Sequence, residues 1–320
     1  MAGLTLLRAI GARPAGLGEA FTAVPGDLQG LGFNPAGLAK LSAPSITAAF
    51  NRGLDDDSYG HVAYGHSVSF GSIFMGGAYY DAGDIDLDIN GVAQGTRKAQ
   101  QDMVGMAGLS IGRTSPVSFG LNAKFFKSEL AEVATASALA VDGGILYQTS
   151  LEGLSLGAAV LNVGSDLKYE VESESLPQTA RVGAAYDIDF QKFSRIKSVP
   201  YNLLLSVDGV KTKDEDSSVN SGFEIRRDLV IVEQGGYAAL RGGYASGPKR
   251  GHIGVGFNVG NFLLDYAMGF SKEETLENIN RVNIGWIFTT GKDNSPLDNN
   301  PGSRPSSPSK KRTIGNSPSR

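Results

Sequence analysis

The sequence predicts an all-β fold, a transmembrane antiparallel β-barrel of about 14 strands. Three observations predict it. From about Ile46 to Phe288, segments of roughly ten residues alternate apolar and polar side chains with period two, the pattern of a strand with one apolar and one polar face. The connectors between them are by turns short and long, as in a barrel with tight turns at one end and roomy loops at the other. Counting by turn signals gives an even number of strands, as single-chain bacterial barrels require.

Residues 1–45 are punctuated by glycine and proline. Gly16 to Val24 reads as a short helix. Pro35 to Leu41 reads as another, with Asn34 as N-cap and proline at the first helical position. The barrel is predicted over 46–288. In it Val117, Phe119, Leu121, Ala123 and Phe125 alternate with Ser118, Gly120, Asn122 and Lys124. Ala180, Val182, Ala184, Tyr186 and Ile188 alternate with Arg181, Gly183, Asp187 and Asp189. Later, Ile253 to Val259 alternates with Gly254, Gly256 and Asn258, and Phe262 to Met268 with Asp265 and Ala267. The last strand sends Val282, Ile284, Trp286 and Phe288 one way and Arg281, Asn283 and Gly285 the other. The inward faces read as polar and glycine-rich. Short connectors fall at Gly71, Arg113–Pro116, Ser150–Gly153 and Gly260. Long ones fall at Asp81–Gln100, Lys127–Ser137, Val163–Pro177, Lys211–Val219 and Phe270–Asn278. Phe190–Val199 and Arg227–Gly235 are longer than a strict scheme wants on the short side. Both ends of the barrel then fall at the short-turn, periplasmic end. A soluble β-sandwich is the alternative fold, but its strands usually run five or six residues and its loops have no reason to sort by parity. Residues 289–320 are rich in serine, proline and basic residues and read as a disordered tail.

Composition agrees. The 320 residues include 43 glycines, above the usual share of roughly 7%, and charged residues are 19% against about 25% in average chains. No run approaches 18 apolar residues, so no transmembrane helix is predicted. Cysteine is absent, which excludes disulfides, cysteine nucleophiles and thiolate metal sites. The net charge of -4 combines a tail of +4 with a body of -8, and an acidic body argues against nucleic-acid binding. Leu4, Leu6, Leu7 and Ile10 are apolar, but Arg8 interrupts them and no basic stretch precedes them, so no secretory signal is read. A mature form, a truncated start and a protein that is never exported are the three readings left.

The chemistry-bearing patterns favour plain explanations. Asp86-x-Asp88-x-Asn90-Gly91 matches the start of a calcium loop, but Arg97 stands where the bidentate glutamate belongs, and Asn90-Gly91 reads better as a turn between two extended arms. His61 and His66 are five residues apart and point to opposite faces of a strand, so they share neither a metal nor a nucleophile. Gly16-Leu17-Gly18 has Phe21 where a dinucleotide fingerprint needs its third glycine. The expectation is a non-enzyme with no cofactor and no metal site.

The run Ile10-Gly11-Ala12-Arg13-Pro14-Ala15-Gly16-Leu17-Gly18-Glu19-Ala20-Phe21-Thr22-Ala23-Val24, followed by Phe33-Asn34-Pro35-Ala36-Gly37-Leu38, resembles the opening of the PorV/PorQ family, which is similar to the long-chain fatty acid (FadL-like) outer-membrane transporters. Further matches are Asn122-Ala123-Lys124, Ala140-Val141-Asp142-Gly143-Gly144, Leu176-Pro177 before Arg181-Val182-Gly183, Ala239-Leu240-Arg241-Gly242-Gly243-Tyr244 and Leu264-Asp265-Tyr266-Ala267. The resemblance implies a bacterial outer-membrane barrel with residues 1–45 inside it as an N-terminal plug (hatch), and with Arg13, Pro14, Asn34, Pro35 and Ala36 as hatch residues. It implies either passage of hydrophobic small molecules or support of protein secretion, with outer-membrane lipid, a hydrophobic ligand or secretion-machinery proteins as partners. Leu17, Phe21, Val24 and Phe33 are the candidate ligand contacts, and they read equally as packing that seats the hatch. A structural or adhesion barrel with a sealed lumen is the rival function.

Overall fold

The computed structural model describes residues 3–8, 10–52, 57–89, 91–169, 172–190, 201–229, 235–271 and 279–288. The predicted tail lies outside them. Eighteen strands are present among the described residues: β1 (Ser45–Arg52), β2 (Ser58–Val68), β3 (Gly71–Asp81), β4 (Asp84–Ile89), β5 (Val92–Lys98), β6 (Gln100–Ile111), β7 (Val117–Leu130), β8 (Ala134–Gln148), β9 (Leu154–Gly164), β10 (Leu167–Tyr169), β11 (Glu172–Glu174), β12 (Thr179–Asp189), β13 (Tyr201–Thr212), β14 (Ser218–Asp228), β15 (Gly236–Ala245), β16 (Arg250–Val259), β17 (Phe262–Ser271) and β18 (Ile279–Ile287). Fourteen of them close a single antiparallel barrel in the order β1-β18-β17-β16-β15-β14-β13-β12-β9-β8-β7-β6-β3-β2. Closure is made by β1, which pairs with β18 (Ser45 opposite Ile287) and with β2 (Ser45 opposite Gly65). A closed barrel leaves no unpaired edge.

Alternation sets the two faces. Outward side chains are large and apolar on every barrel strand: Leu121 and Leu139 are 64% and 65% exposed, and Val182, Ile253 and Trp286 are also exposed. Exposed aromatics stand towards both ends, Phe50, Tyr244 and Phe270 at one and Tyr147, Phe262 and Trp286 at the other. Such an outward face suits hydrocarbon flanked by interfaces rather than water. The faces predicted for the last strand hold, with Arg281 and Asn283 buried and Val282 and Ile284 exposed.

The connectors refine the predicted loops. The long connector after β3 carries the β4–β5 hairpin, and the predicted turn at Gly91 is there, with φ +80 and its N–H donated to Asp88 Oδ1. The connector after β9 carries the small β10–β11 pair. The predicted long loop Lys127–Ser137 is instead a tight turn. β7 and β8 run on for 14 and 15 residues, pairing out to Leu130 and Ala134, and left-handed Ala131 and Glu132 turn the chain. The predicted Lys211–Val219 loop likewise shortens to residues 213–217. Most of 190–199 and 272–278 lies outside the described residues.

The N-terminal segment also departs from expectation. The α-helix of this segment is α1 (Ala12–Gly16), earlier than the predicted Gly16–Val24 helix. Gly18 and Glu19 both adopt positive φ (62 and 64), which ends a right-handed helix. Asn34 does cap the predicted turn after it, its side chain accepting from Ala36 N at 3.0 Å with Pro35 first, but that turn is a 3₁₀-helix over Pro35–Lys40.

The inward face is the main correction. It is polar on β12 and β14 to β18, as predicted. On β3, β6, β7 and β8 it also presents Phe74, Val104, Met106, Phe126, Ala136, Ala138 and Ala140, all buried. The alternation read on β7 from Val117 to Phe125 holds; beyond it, and on β3, β6 and β8, small or apolar residues occupy both faces.

Candidate functional site: the two walls of the lumen

The N-terminal segment is buried against the inward face of the barrel. At the long-loop end Thr5 Oγ1 donates to Asp102 Oδ2 of β6 at 2.5 Å, and Gly3 lies beside Phe126, Leu167 and Leu176. At the short-turn end Lys40 Nζ donates to the carbonyls of Gly112, Arg113 and Ser115, while Arg113 Nη1 donates back to Leu41 O at 2.8 Å. Partial burial, and then the Arg113 charge, lower the Lys40 pKa from its ordinary value.

Between those ends, one wall is ionic. Arg13 of α1 is gripped by Glu224 of β14 through Nε and Nη2 (2.9 and 2.8 Å) and by Asp27 through Nη1 (2.8 Å). Arg241 of β15 shares Glu224 (2.6 Å) and reaches Asp265 of β17 (2.7 Å). Gln29 completes the circuit, donating to Asp265 and accepting from Arg13 N. A second node lies on β12 and β13, where Asp208 accepts from Arg181, from the backbone of Phe21 and Thr22, and from Thr22 Oγ1. Burying charges is tolerable only when their hydrogen-bonding capacity is met, and these nodes meet most of it.

The opposite wall is apolar. Leu28, Leu31, Leu38 and Leu41 of the N-terminal segment pack with Phe74, Met106, Val104 and Phe126, and the cluster continues to Leu167 and Leu176 of the connector after β9. One buried ion pair interrupts it. Lys124 Nζ meets Asp142 at 2.9 Å and Asn162 at 2.7 Å, beside a register shift between β8 and β9 and a left-handed Asn162.

Each predicted site residue has a place in this arrangement. Arg13 and Pro14 lie in buried α1. Asn34 ties the segment to the barrel, donating to Thr22 O and to Ile145 O of β8. Pro35 and Ala36 pass directly over Gly120 of β7, where a Cβ would come within 2.3 Å of their backbone; Gly144 of β8 likewise leaves room for Asn34. Only glycine permits so close an approach. Leu17, Phe21, Val24 and Phe33 are brought together as one buried cluster on Ala185 and Leu204, with the Phe21 and Phe33 rings 5.8 Å apart. His61 faces inward and His66 outward, as the odd spacing predicts. Glu224 and Asp208 were missed by sequence reasoning. Their signal was an acidic residue at an inward position of an otherwise apolar-outward strand. Motifs that are scattered along the chain meet here: Arg13, Arg241 and Asp265 form one network, and Lys124 and Asp142 another.

No model of a known family matches the sequence, and no curated protein matches it. Solved structures do. The Ralstonia pickettii toluene transporter TbuX is similar with a TM-score of 0.54 at 14% identity, covering 87% of this chain and 98% of its own. The Pseudomonas putida toluene transporter TodX gives 0.54 at 11% over 88% and 99%. A Pseudomonas aeruginosa FadL homologue gives 0.51 at 9% over 87% and 98%. At such identities the likeness shows the fold, a 14-stranded FadL-like barrel.

Proposed function

We propose that this chain is a non-enzymatic outer-membrane barrel that passes hydrophobic small molecules, with residues 1–45 as its plug. The observation that carries the reading is the apolar wall, which runs along the lumen from Leu41 and Phe74 at the short-turn end to Leu176 at the long-loop end. Leucines of the N-terminal segment cover this wall, so a solute reaches it only where they give way; there it gains about 25 cal/mol per Å² of apolar area buried, with no chemistry required of the protein. The fold likeness to toluene transporters supports the same reading. The outward apolar face supports the membrane location. Leu17, Phe21, Val24 and Phe33 seat the plug in this reading, because their partners are one another and the β12–β13 wall.

The test is uptake of labelled toluene by bacteria with intact outer membranes that produce the protein, beside a Phe126→Glu variant assembled to the same level. Uptake several-fold above control cells, lost in the variant, is expected; equal uptake in producing and control cells overturns the reading. A PorV/PorQ-type secretion accessory is the second reading, favoured by the close seating of the Asn34-Pro35-Ala36 motif on the barrel. It predicts exported proteins retained on the purified barrel and toluene uptake unchanged.

A further inference from the structure

We propose that the lumen contains a separate binding site for a small carboxylate, built on Arg281 of β18 towards the long-loop end. Arg281 is 5% exposed, yet its Nε and Nη1 have no hydrogen-bond partner among the described residues. Arg13, Lys124, Arg181 and Arg241, also buried in the lumen, each meet a carboxylate within 2.9 Å. Arg281 is left out of those networks. A buried guanidinium with two unmet donors is costly and calls for an acceptor.

The surroundings add donors to the guanidinium: an imidazole can give one N–H and a primary amide two. Ala49 of β1 lies opposite both Asn283 of β18 and His61 of β2, which places these two beside Arg281 on the inward face. Both ring nitrogens of His61, Nε2 of His252 and Nδ2 of Asn283 also lack partners. Asn51 completes the inward row, and its unpartnered atom is the acceptor Oδ1. The charged groups acting on Arg281 are Glu19, Arg8 and Arg250. Arg8 is engaged by Asp57 and stacks on Tyr80, and no ion pair reaches Arg281 among the described residues. The ligand that fits is an acceptor-only monoanion with more than one oxygen. A carboxylate meets that description, whereas a phosphate dianion would carry a second charge close to Glu19. Neutral solutes on the apolar wall do not need this site, so the inference stands apart from the transport reading.

The test is the line width of [1-¹³C]acetate in the presence of the purified full chain in detergent, at constant ionic strength. Saturable broadening is expected, weakened about tenfold by Arg281→Gln, the worth of a charge-assisted hydrogen bond. Should Arg281→Gln not assemble, His61→Phe and Asn283→Ala keep the cation and are each expected to weaken binding at least about twofold. Broadening that is absent, or unchanged in these variants, overturns the site. So does displacement of acetate by chloride as readily as by formate, or tighter binding of inorganic phosphate than of acetate.

Discussion

The wall formed by β12 to β18 and the wall formed by β2, β3 and β6 to β8 hold the same N-terminal segment differently, the first by buried ion pairs beside an apolar patch on Ala185 and Leu204, the second mainly by apolar contact. On the first, Glu224 and Asp208 collect arginines and backbone N–H groups from both the barrel and the segment. On the second, leucines of the segment lie on Phe74, Met106 and Phe126 with few polar contacts. The ionic wall is directional: each bond fixes one geometry and one partner. The apolar wall is not, and dispersion and burial reward any arrangement that fills the space. The first is suited to fixing the segment's register, and the second to accepting a guest of variable shape.

This contrast can be broken or sharpened by measurement. Glu224→Ala has the largest expected effect, because it strands Arg13 and Arg241 without a shared carboxylate; breaking a buried pair costs about 3–5 kcal/mol. Denaturant unfolding of the purified barrel, followed by heat-modifiable migration, reads it. A double change of Glu224→Leu with Arg13→Met should cost less than Glu224→Ala alone, and a double change that costs more would show that the network contributes more than charge compensation. Phe126→Ala comes next at about 3 kcal/mol, a cavity cost on the apolar wall, to be read in the same assay. If it exceeds Glu224→Ala, the ionic wall is not the stronger anchor. Asn34→Ala removes a cap and two bonds to carbonyls and should cost about 1–2 kcal/mol, with faster proteolysis of the N-terminal segment as a second readout. Lys40→Gln is smallest, at about 1 kcal/mol or less, because the ammonium is partly solvated at the short-turn end.

Much of the barrel was legible because outward residues must be apolar whatever their partners. Trp286, Phe257 and Val182 announce their face by contrast with Arg281, Asn258 and Arg181. That contrast fails where the inward residue is also apolar, as at Val104 and Phe126, and so the apolar wall was not foreseen. Loop length was overestimated at Lys127–Ser137 because polar residues such as Lys127 and Ser137 continue the alternation beyond the apolar run and still pair. The helix at Ala12–Gly16 was misplaced because the stop comes from left-handed Gly18 and Glu19, a backbone state that Glu19 does not advertise. In the site, Arg13 and Asn34 were identified through resemblance, but their partners Glu224, Thr22 and Ile145 were not.

By itself the sequence determined a closed sheet of about fourteen strands, the outward face of most of them, the Asn34 cap and the turn at Gly91. These depend on period, turn chemistry and neighbours within a few residues. Only the tertiary structure decided that Arg13 meets Glu224, that Lys124 meets Asp142, and that one side of the lumen is apolar while the other is charged. Such pairs lie up to 211 residues apart in sequence, and nothing local distinguishes a charge that meets a carboxylate across the lumen from one, like Arg281, that forms no ion pair among the described residues. Closing the cylinder around the segment is what brings them within bonding distance.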